Sequence, residues 1–490
     1  MRFVCAFAVC VSFIALAQDA PKTVEATPPS ASQAASKEAA LEPLSEDVLQ
    51  GMENYWAEEE AGESPPSALS LDVRTCVEMT LSQNAQVLVA QDDVDAAKAK
   101  IGQARSQLLP QVKGKIAYAY IDDLGFKSSG GFFGDIIASL FSGMTGNKEQ
   151  RQDTITINQT LFTGGQIVAA IKASKYLAES QEWQRQTKLD GLEFDAKQAY
   201  YTCLLARAMV RVADESVATF KRHLADAQQM LDVGLISNFE VLRAKTEVGA
   251  READLVAGKN AVRLSIENLR RVLALPEDKP IRLTGKLEWT PISEAADDLV
   301  AQALENRPEI LSLQKGISAA EQNVRRVKGQ FLPKVGAMAE WANIDGAGQT
   351  TPEGWTLGVG AELEIFAGGR RIHEVAEAKA QQRSLEHQLE DVRRLIEFDV
   401  RNAYIQMEDA MARVQQEQGT VELGREGRRL AQLRFQEGVG TQTETLDAEL
   451  ALRNAETLLV KAIHDYAVAH ASIEKAIGKS WVAKEESSAK

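Results

Sequence analysis

Leu161-Phe162-Thr163-Gly164-Gly165-Gln166 reads as a strand that stops at a glycine pair and turns into a helix, and Ile365-Phe366-Ala367-Gly368-Gly369-Arg370 repeats it 204 positions later. The copies continue downstream at the same offset. Glu193-Phe194-Asp195-Ala196-Lys197-Gln198-Ala199-Tyr200 answers Glu397-Phe398-Asp399-Val400-Arg401-Asn402-Ala403-Tyr404, and Val233-Gly234-Leu235 answers Glu437-Gly438-Val439. Upstream, Leu108-Leu109-Pro110-Gln111-Val112 matches Phe331-Leu332-Pro333-Lys334-Val335 at an offset of 223, so the first copy carries 19 more residues between its Pro and its glycine pair. A repeat this long is a duplicated domain and not a solenoid unit. Each half reads helix, strand, loop, strand, long helix, break, helix.

The strands follow each Pro. Val112, Ile116, Tyr118 and Tyr120 alternate with Lys113, Lys115, Ala117 and Ala119; Ile155, Ile157 and Leu161 alternate with Thr154, Thr156, Asn158 and Thr160. In the second copy Val335, Ala337, Ala339 and Trp341 are followed by Trp355, Leu357, Val359, Ala361, Leu363 and Ile365, set against Thr356, Gly358, Gly360, Glu362 and Glu364. Strands of about ten residues with one apolar and one small or polar face fit a transmembrane barrel with a wet interior. An ordinary two-layer sheet alternates identically, but no other segment is available to cover the apolar face.

From Gly165 to Val233 there is no proline and little glycine, and Gly369 to Glu437 is similar. Each is expected to be one helix of roughly 100 Å at 1.5 Å per residue. Leu385, Leu389, Val392, Ile396, Ala403, Met407, Ala410 and Val414 recur at the spacing of a coiled-coil seam. Returning helices are expected over Phe239 to Leu275 and Glu444 to Ile477, and leading ones over Ser70 to Leu109 and Ser293 to Phe331, stopped by Pro110 and Pro333.

Composition agrees with long helices: 44% apolar but only 6% aromatic residues in 490. Residues 1–17, with Arg2, an apolar run and small residues at Ala15 and Ala17, read as a secretory signal cleaved before Gln18. Losing Arg2 takes the basic residues from 55 to 54 against 70 acidic ones and the net charge from −15 to −16, which disfavours nucleic acid. No later stretch has the ~20 apolar residues a spanning helix needs, so any membrane crossing falls to strands.

The expected order is signal peptide 1–17, flexible leader 18–69, first repeat 70–292, second repeat 293–480 and tail 481–490. The loop 122–153 holds a greasy run from Gly131 to Phe141, read either as an amphipathic surface helix or as a plug over the mouth. Cys76 and Cys203 are read as small buried residues, with a disulfide as the alternative, and Cys5 and Cys10 lack a lipoprotein pattern.

Catalytic chemistry is not written in the chain. His223, His373, His387, His464 and His470 lack metal-site pairing, and there is no phosphate loop, nucleophile elbow or paired cysteine motif. The glycine pairs lack the third glycine of a dinucleotide turn. No enzyme, cofactor or metal site is expected.

Four strands cannot close a membrane barrel, and an open edge cannot face lipid. Several chains must pool their strands; three copies give twelve.

Over residues 70–480 the chain resembles the outer-membrane efflux protein family of the TolC type. The resemblance rests on the duplicated element order, Leu-Pro before each first strand, Phe-x-Gly-Gly before each long helix, and the hairpin tips Val233-Gly234-Leu235-Ile236-Ser237 and Glu437-Gly438-Val439-Gly440-Thr441. It implies a mainly α protomer with a small β part: a duplicated coiled coil giving four strands to a trimeric 12-stranded β-barrel in the outer membrane, above a periplasmic α-helical barrel. It also implies a homotrimer, contact with outer-membrane lipid, a periplasmic adaptor and an inner-membrane pump.

By the same resemblance Gly234, Leu235, Ser237, Gly438, Val439 and Thr441 are adaptor-docking tips, though glycine also serves the turn itself. Glu444 and Asp447, with Glu240 from the first repeat, match an acidic ring at the entrance; a solvated helix face is the plainer reading. Gly164, Gly165, Gly368 and Gly369 are the strand-to-helix junctions. Where the family holds the entrance shut with a tyrosine and an arginine, this chain has Phe435 and Gly440. The expected function is passive export of small toxic compounds, with type I protein secretion as the alternative and a periplasmic coiled-coil scaffold or adaptor as the reading from another class.

Overall fold

A computed structural model of the chain describes residues 69–120, 149–276, 281–284, 295–346 and 351–478. The expected signal peptide, the leader up to residue 68, most of the 122–153 loop, the junction of the two repeats and the tail lie outside these residues.

The first half runs β1 (Leu69–Leu71), α1 (Val73–Gln83), α2 (Ala85–Ser106), β2 (Gln111–Tyr120), β3 (Glu149–Phe162), α3 (Gln166–Asp232) and α4 (Asn238–Leu273). After β4 (Ile281–Leu283) the second half repeats it as α5 (Ala296–Asn306), α6 (Pro308–Lys328), a single 3-10 turn, β5 (Lys334–Gly346), β6 (Thr351–Glu362), α7 (Arg370–Gln436) and α8 (Gln442–Ala476). Both long helices have 67 residues, about 100 Å each.

Several expected boundaries change. The leading helices are each broken once, at Asn84 and at Arg307-Pro308. Asp72 caps α1 by accepting from the Thr75 N–H at 2.7 Å, and Asn84 then turns extended (ψ 127°) and caps α2 through Gln86 N–H at 2.9 Å. Pro308 supplies no N–H, which the first helical position does not need. The apolar period survives the break, so the pattern alone reads as one helix. Ser70 and Leu71 lie in β1, which pairs in parallel with β4. β3 starts at Glu149, inside the expected 122–153 loop, and β6 ends at Glu362, short of Ile365.

The four long strands form one antiparallel sheet in the order β2-β3-β5-β6, so β2 and β6 are its edges. Directly opposed residues share a face. The register aligns Val112 with Ile157, Ile157 with Ala339, and Ala339 with Leu357, while Lys113 meets Thr156, Thr156 meets Glu340, and Glu340 meets Thr356. The sheet is therefore apolar on one side and polar on the other across all four strands. The apolar side is bare in the single chain: Val112, Ile116, Tyr118, Trp355, Leu357 and Val359 are 59–77% exposed.

Midway along α3 lies a buried core, where Tyr200, Cys203 and Leu204 meet Leu71, Cys76 and Val77, and Leu269 and Leu273 near the end of α4. Cys76 and Cys203 are both buried and reduced. Burial pushes the Cys76 thiol up to about 12. The α7 seam is buried from Ile396 through Ala403, Met407, Ala410 and Val414, but Leu385, Leu389 and Val392 above it stay half-covered. Next in sequence to the core residue Ala196, Lys197 of α3 reaches Glu193 and, from α8, Glu474, each at 2.7 Å.

Candidate functional site: the hairpin ends

α3 turns into α4, and α7 into α8, through closely similar glycine turns. Gly234 (φ 76°) and Gly438 (φ 73°) take the left-handed conformation that an L side chain resists. Leu235 N–H returns to Met230 O at 2.8 Å and Val439 N–H to Arg434 O at 3.0 Å, closing the orphan carbonyls of both helices. Ser237 and Thr441 are the N-cap residues of the returning helices; the Thr441 hydroxyl accepts from Glu444 N–H at 3.1 Å, whereas Ser237 makes no side-chain cap bond. The turns leave Val233, Leu235 and Val439 about 70% exposed or more. Gly440 sits in a tight place for another reason: a Cβ there would lie 3.0 Å from Arg434 Cβ and from Phe435 N.

The three acidic residues start the returning helices but are not drawn together within the chain. Glu444 is exposed and lies 3.7 Å from Arg434 of α7; Asp447 is exposed and Glu240 half-buried. Among the described residues no ion pair or hydrogen bond joins Glu240, Glu444 and Asp447 to one another. The two hairpins do meet beside them. Arg243 of α4 donates to the Thr443 hydroxyl of α8 at 3.2 Å, and Leu446 of α8 is buried with Phe220 of α3 and Val248 of α4.

One turn further in lies a buried charge cluster that the sequence reading missed. Arg453 of α8 reaches Glu456 at 2.7 Å, Glu449 at 2.9 Å and Glu215 of α3 at 3.1 Å, with Arg428 of α7 3.9 Å from Glu449. Glu449 is fully buried. Desolvation opposes the charge on Arg453, but Glu456 and Glu449 outweigh it and hold the guanidinium above its ordinary pKa. Burial raises Glu456, against the pull of Arg453. Beside the cluster His223 of α3 is lowered by burial, against the attraction of Glu449 and Asp226. The readable signal was three charges on the inward face of an otherwise apolar helix, Glu449, Arg453 and Glu456, spaced four and three apart.

At the other end the junction glycines Gly164 (φ 62°), Gly165 (φ 81°), Gly368 (φ 60°) and Gly369 (φ 83°) are all left-handed, and Gly165 and Gly369 are the N-caps of α3 and α7. They turn the sheet into the long helices. No helix among the described residues is long and apolar enough to cross a membrane, and no cluster of metal-ligating side chains occurs among them.

A family model described as outer membrane efflux protein matches residues 76–275 and 299–479, one stretch in each half. The outer membrane efflux protein BepC of Brucella suis is 25% identical over 336 residues, covering 66% of this chain and 71% of BepC. The alkaline protease secretion protein AprF of Pseudomonas aeruginosa is 22% identical over 429 residues, covering 83% and 84%. The crystal structure of the Campylobacter jejuni CmeC outer membrane channel superposes with a TM-score of 0.71 at 15% identity, over 89% of this chain and 94% of that one.

Proposed function

Because this chain belongs to the outer membrane efflux protein family, we propose that it is the outer-membrane exit duct of a tripartite export system, assembled as a homotrimer. Family and fold are those of channel proteins and not of enzymes. The observation that carries the reading is the two-faced sheet with free edges. Its apolar side, Val112, Ile116, Trp355 and Leu357, suits lipid, and its polar side, Lys113, Thr156, Glu340 and Thr356, suits a wet lumen. Four strands per copy bring three copies to twelve, enough to close a barrel and leave no edge in lipid. The long helices then form the periplasmic duct.

In this reading the exposed turns at Gly234, Leu235, Ser237, Gly438, Val439 and Thr441 dock the helical hairpins of a periplasmic adaptor, and an inner-membrane pump supplies the energy. Glu240, Glu444 and Asp447 ring the entrance and bind multivalent cations. Opening spreads the hairpins and is favoured by an adaptor that binds the spread state more tightly. We read the cargo as small toxic compounds, in keeping with the efflux that BepC is named for; the likeness to AprF, named for alkaline protease secretion, supports a second reading, protein secretion.

The test is the mass of the unboiled particle extracted by detergent from the outer-membrane fraction, followed by single-channel recording. A particle of three chain masses that conducts supports the duct, and a soluble monomer overturns it in favour of a periplasmic scaffold. Glu444→Ala with Asp447→Ala is expected to weaken block by multivalent cations while leaving the particle intact; unchanged block removes both residues from the entrance.

A further inference from the structure

The two halves of the chain are packed on one another in one direction only. α3 of the first half packs along α6 of the second, and β3 pairs with β5. A shift of 204 positions carries α3 onto α7 and β3 onto β6, and a shift of 223 carries α6 back onto α2 and β5 back onto β2. The mirrored contacts, α7 with α2 and β6 with β2, are not made within the chain among the described residues. The surfaces that would make them lie open. Ser312 of α6 is 6% exposed where it meets Ser180, whereas Val89, its equivalent on α2, is 59% exposed. Gly164 is pressed against Gly329 and Leu332, whereas Gly368 has nothing within 4 Å.

We propose that a second copy of this chain occupies the open face of α7 and β6 in the register that the first half already uses on the second, and that opposite charges lock that register. The inference rests on the homo-oligomeric duct proposed above and adds to it the residues that meet. In the chain Asn158 opposes Met338 and Thr160 opposes Gly336. Carried through the two shifts, Glu362 opposes the next copy's Lys115 and Glu364 opposes the next copy's Lys113. All four are exposed, and the two pairs fall on the polar side of the sheet, one acidic edge against one basic edge.

The helices give the same answer with the signs exchanged. Lys315 of α6 lies 2.6 Å from Glu179 of α3; the equivalents are Asp92 of the next copy and Arg383 of α7, both exposed. One turn of these contacts is close enough to test covalently. The hydroxyls of Ser180 and Ser312 are 2.9 Å apart, and their equivalents are Ser384 and the next copy's Val89. Arg383 and Ser384 already line an open groove on α7. Pairing also accounts for the early end of β6: residues 363–366 have no strand partner in the chain, where Glu364 instead meets Arg370 at 3.0 Å and Arg371 at 2.8 Å, whereas their equivalents in β3 run on to Phe162 against β5.

The experiment uses the full chain in outer membranes. Val89→Cys with Ser384→Cys is oxidised, boiled and run without reductant, with Ser180→Cys and Ser312→Cys as the intrachain control of the same geometry. The aligned pair is expected to give a ladder of covalent oligomers, while Val89→Cys with Gln388→Cys, one turn out of register, and each single variant stay monomeric. In parallel, Lys115→Glu and Glu362→Lys are each expected to lose the unboiled oligomer, and the double exchange to restore it.

A ladder from the displaced pair, or none from the aligned pair while the unaltered protein still extracts as an oligomer, overturns the register alone. A double exchange no better than either single one does the same. An unaltered protein that extracts as a monomer overturns the duct reading itself.

Discussion

Gly164 and Gly329 meet back to back: a Cβ on Gly164 would lie 2.4 Å from the Gly329 carbonyl oxygen, and one on Gly329 would lie 2.6 Å from the Gly164 carbonyl oxygen. The contact holds the first strand-to-helix junction against the end of α6. Gly329→Ala adds one methyl at an ordinary helical backbone (φ −59°), so its effect is steric alone, about 1–3 kcal/mol. Gly164→Ala adds the strain of φ 62° and should be worse. Chemical denaturation of the detergent-solubilised protein ranks them, and equal stability of Gly329→Ala and the parent would refute the tight contact.

Asn84 and Arg307 occupy the same position in the two halves and perform the same task. Asn84 Nδ2 donates to Val272 O and Arg307 Nε to Ala476 O, each at 2.8 Å, capping the returning helix of its own half. Asn84→Ala is expected to cost about 1–2 kcal/mol. Arg307→Ala should cost more, since it also abandons Glu309 at 3.0 Å and Asp399 at 3.7 Å. Hydrogen exchange localises the change: faster exchange should appear in α4 for the first variant and in α8 for the second.

The buried cluster around Arg453 predicts strong non-additivity. Arg453→Met leaves the fully buried Glu449 facing Arg428 at 3.9 Å alone, a loss of about 3–5 kcal/mol. Arg453→Met combined with Glu449→Gln should recover much of it, because the uncompensated charge is removed with its partner. Equal stability of the single and double variants would show that the cluster does not act as a unit.

His223 makes the hairpin contact sensitive to acid. Its folded pKa lies below the ordinary 6.5 because burial disfavours the charged ring. The stability it contributes is complete above pH 6.5 and is lost as pH falls through the lowered folded value. Protection of α3 near Phe220 should therefore decline on acidification below 6.5, and His223→Asn should flatten that decline. A decline unchanged in the variant would assign it to other groups.

Cys76, raised to about 12 and fully buried, is expected to resist thiol alkylation at neutral pH in the folded protein and to react after denaturation. Mass spectrometry with iodoacetamide measures both states.

Much of this protein is local and therefore written in its sequence. Left-handed glycines at 164, 165, 234, 368, 369 and 438, proline stops at 110 and 333, and period-two alternation each act over a few residues, so strands, long helices and turns could be read directly, and the 204-position echo gave the duplication. The breaks at Asn84 and Arg307 were hidden because each leading helix resumes in phase, and their purpose lies 188 and 169 positions away, at Val272 and Ala476. The hairpin tips were legible as glycine turns. The Arg453 cluster was not, because whether Glu449 is solvated or fully buried depends on α3 and α7 closing over it. Only tertiary structure decided that the halves pack in one direction and leave Glu362, Glu364 and Arg383 exposed: repeated sequence makes equivalent surfaces, but a single chain can satisfy only one set of them.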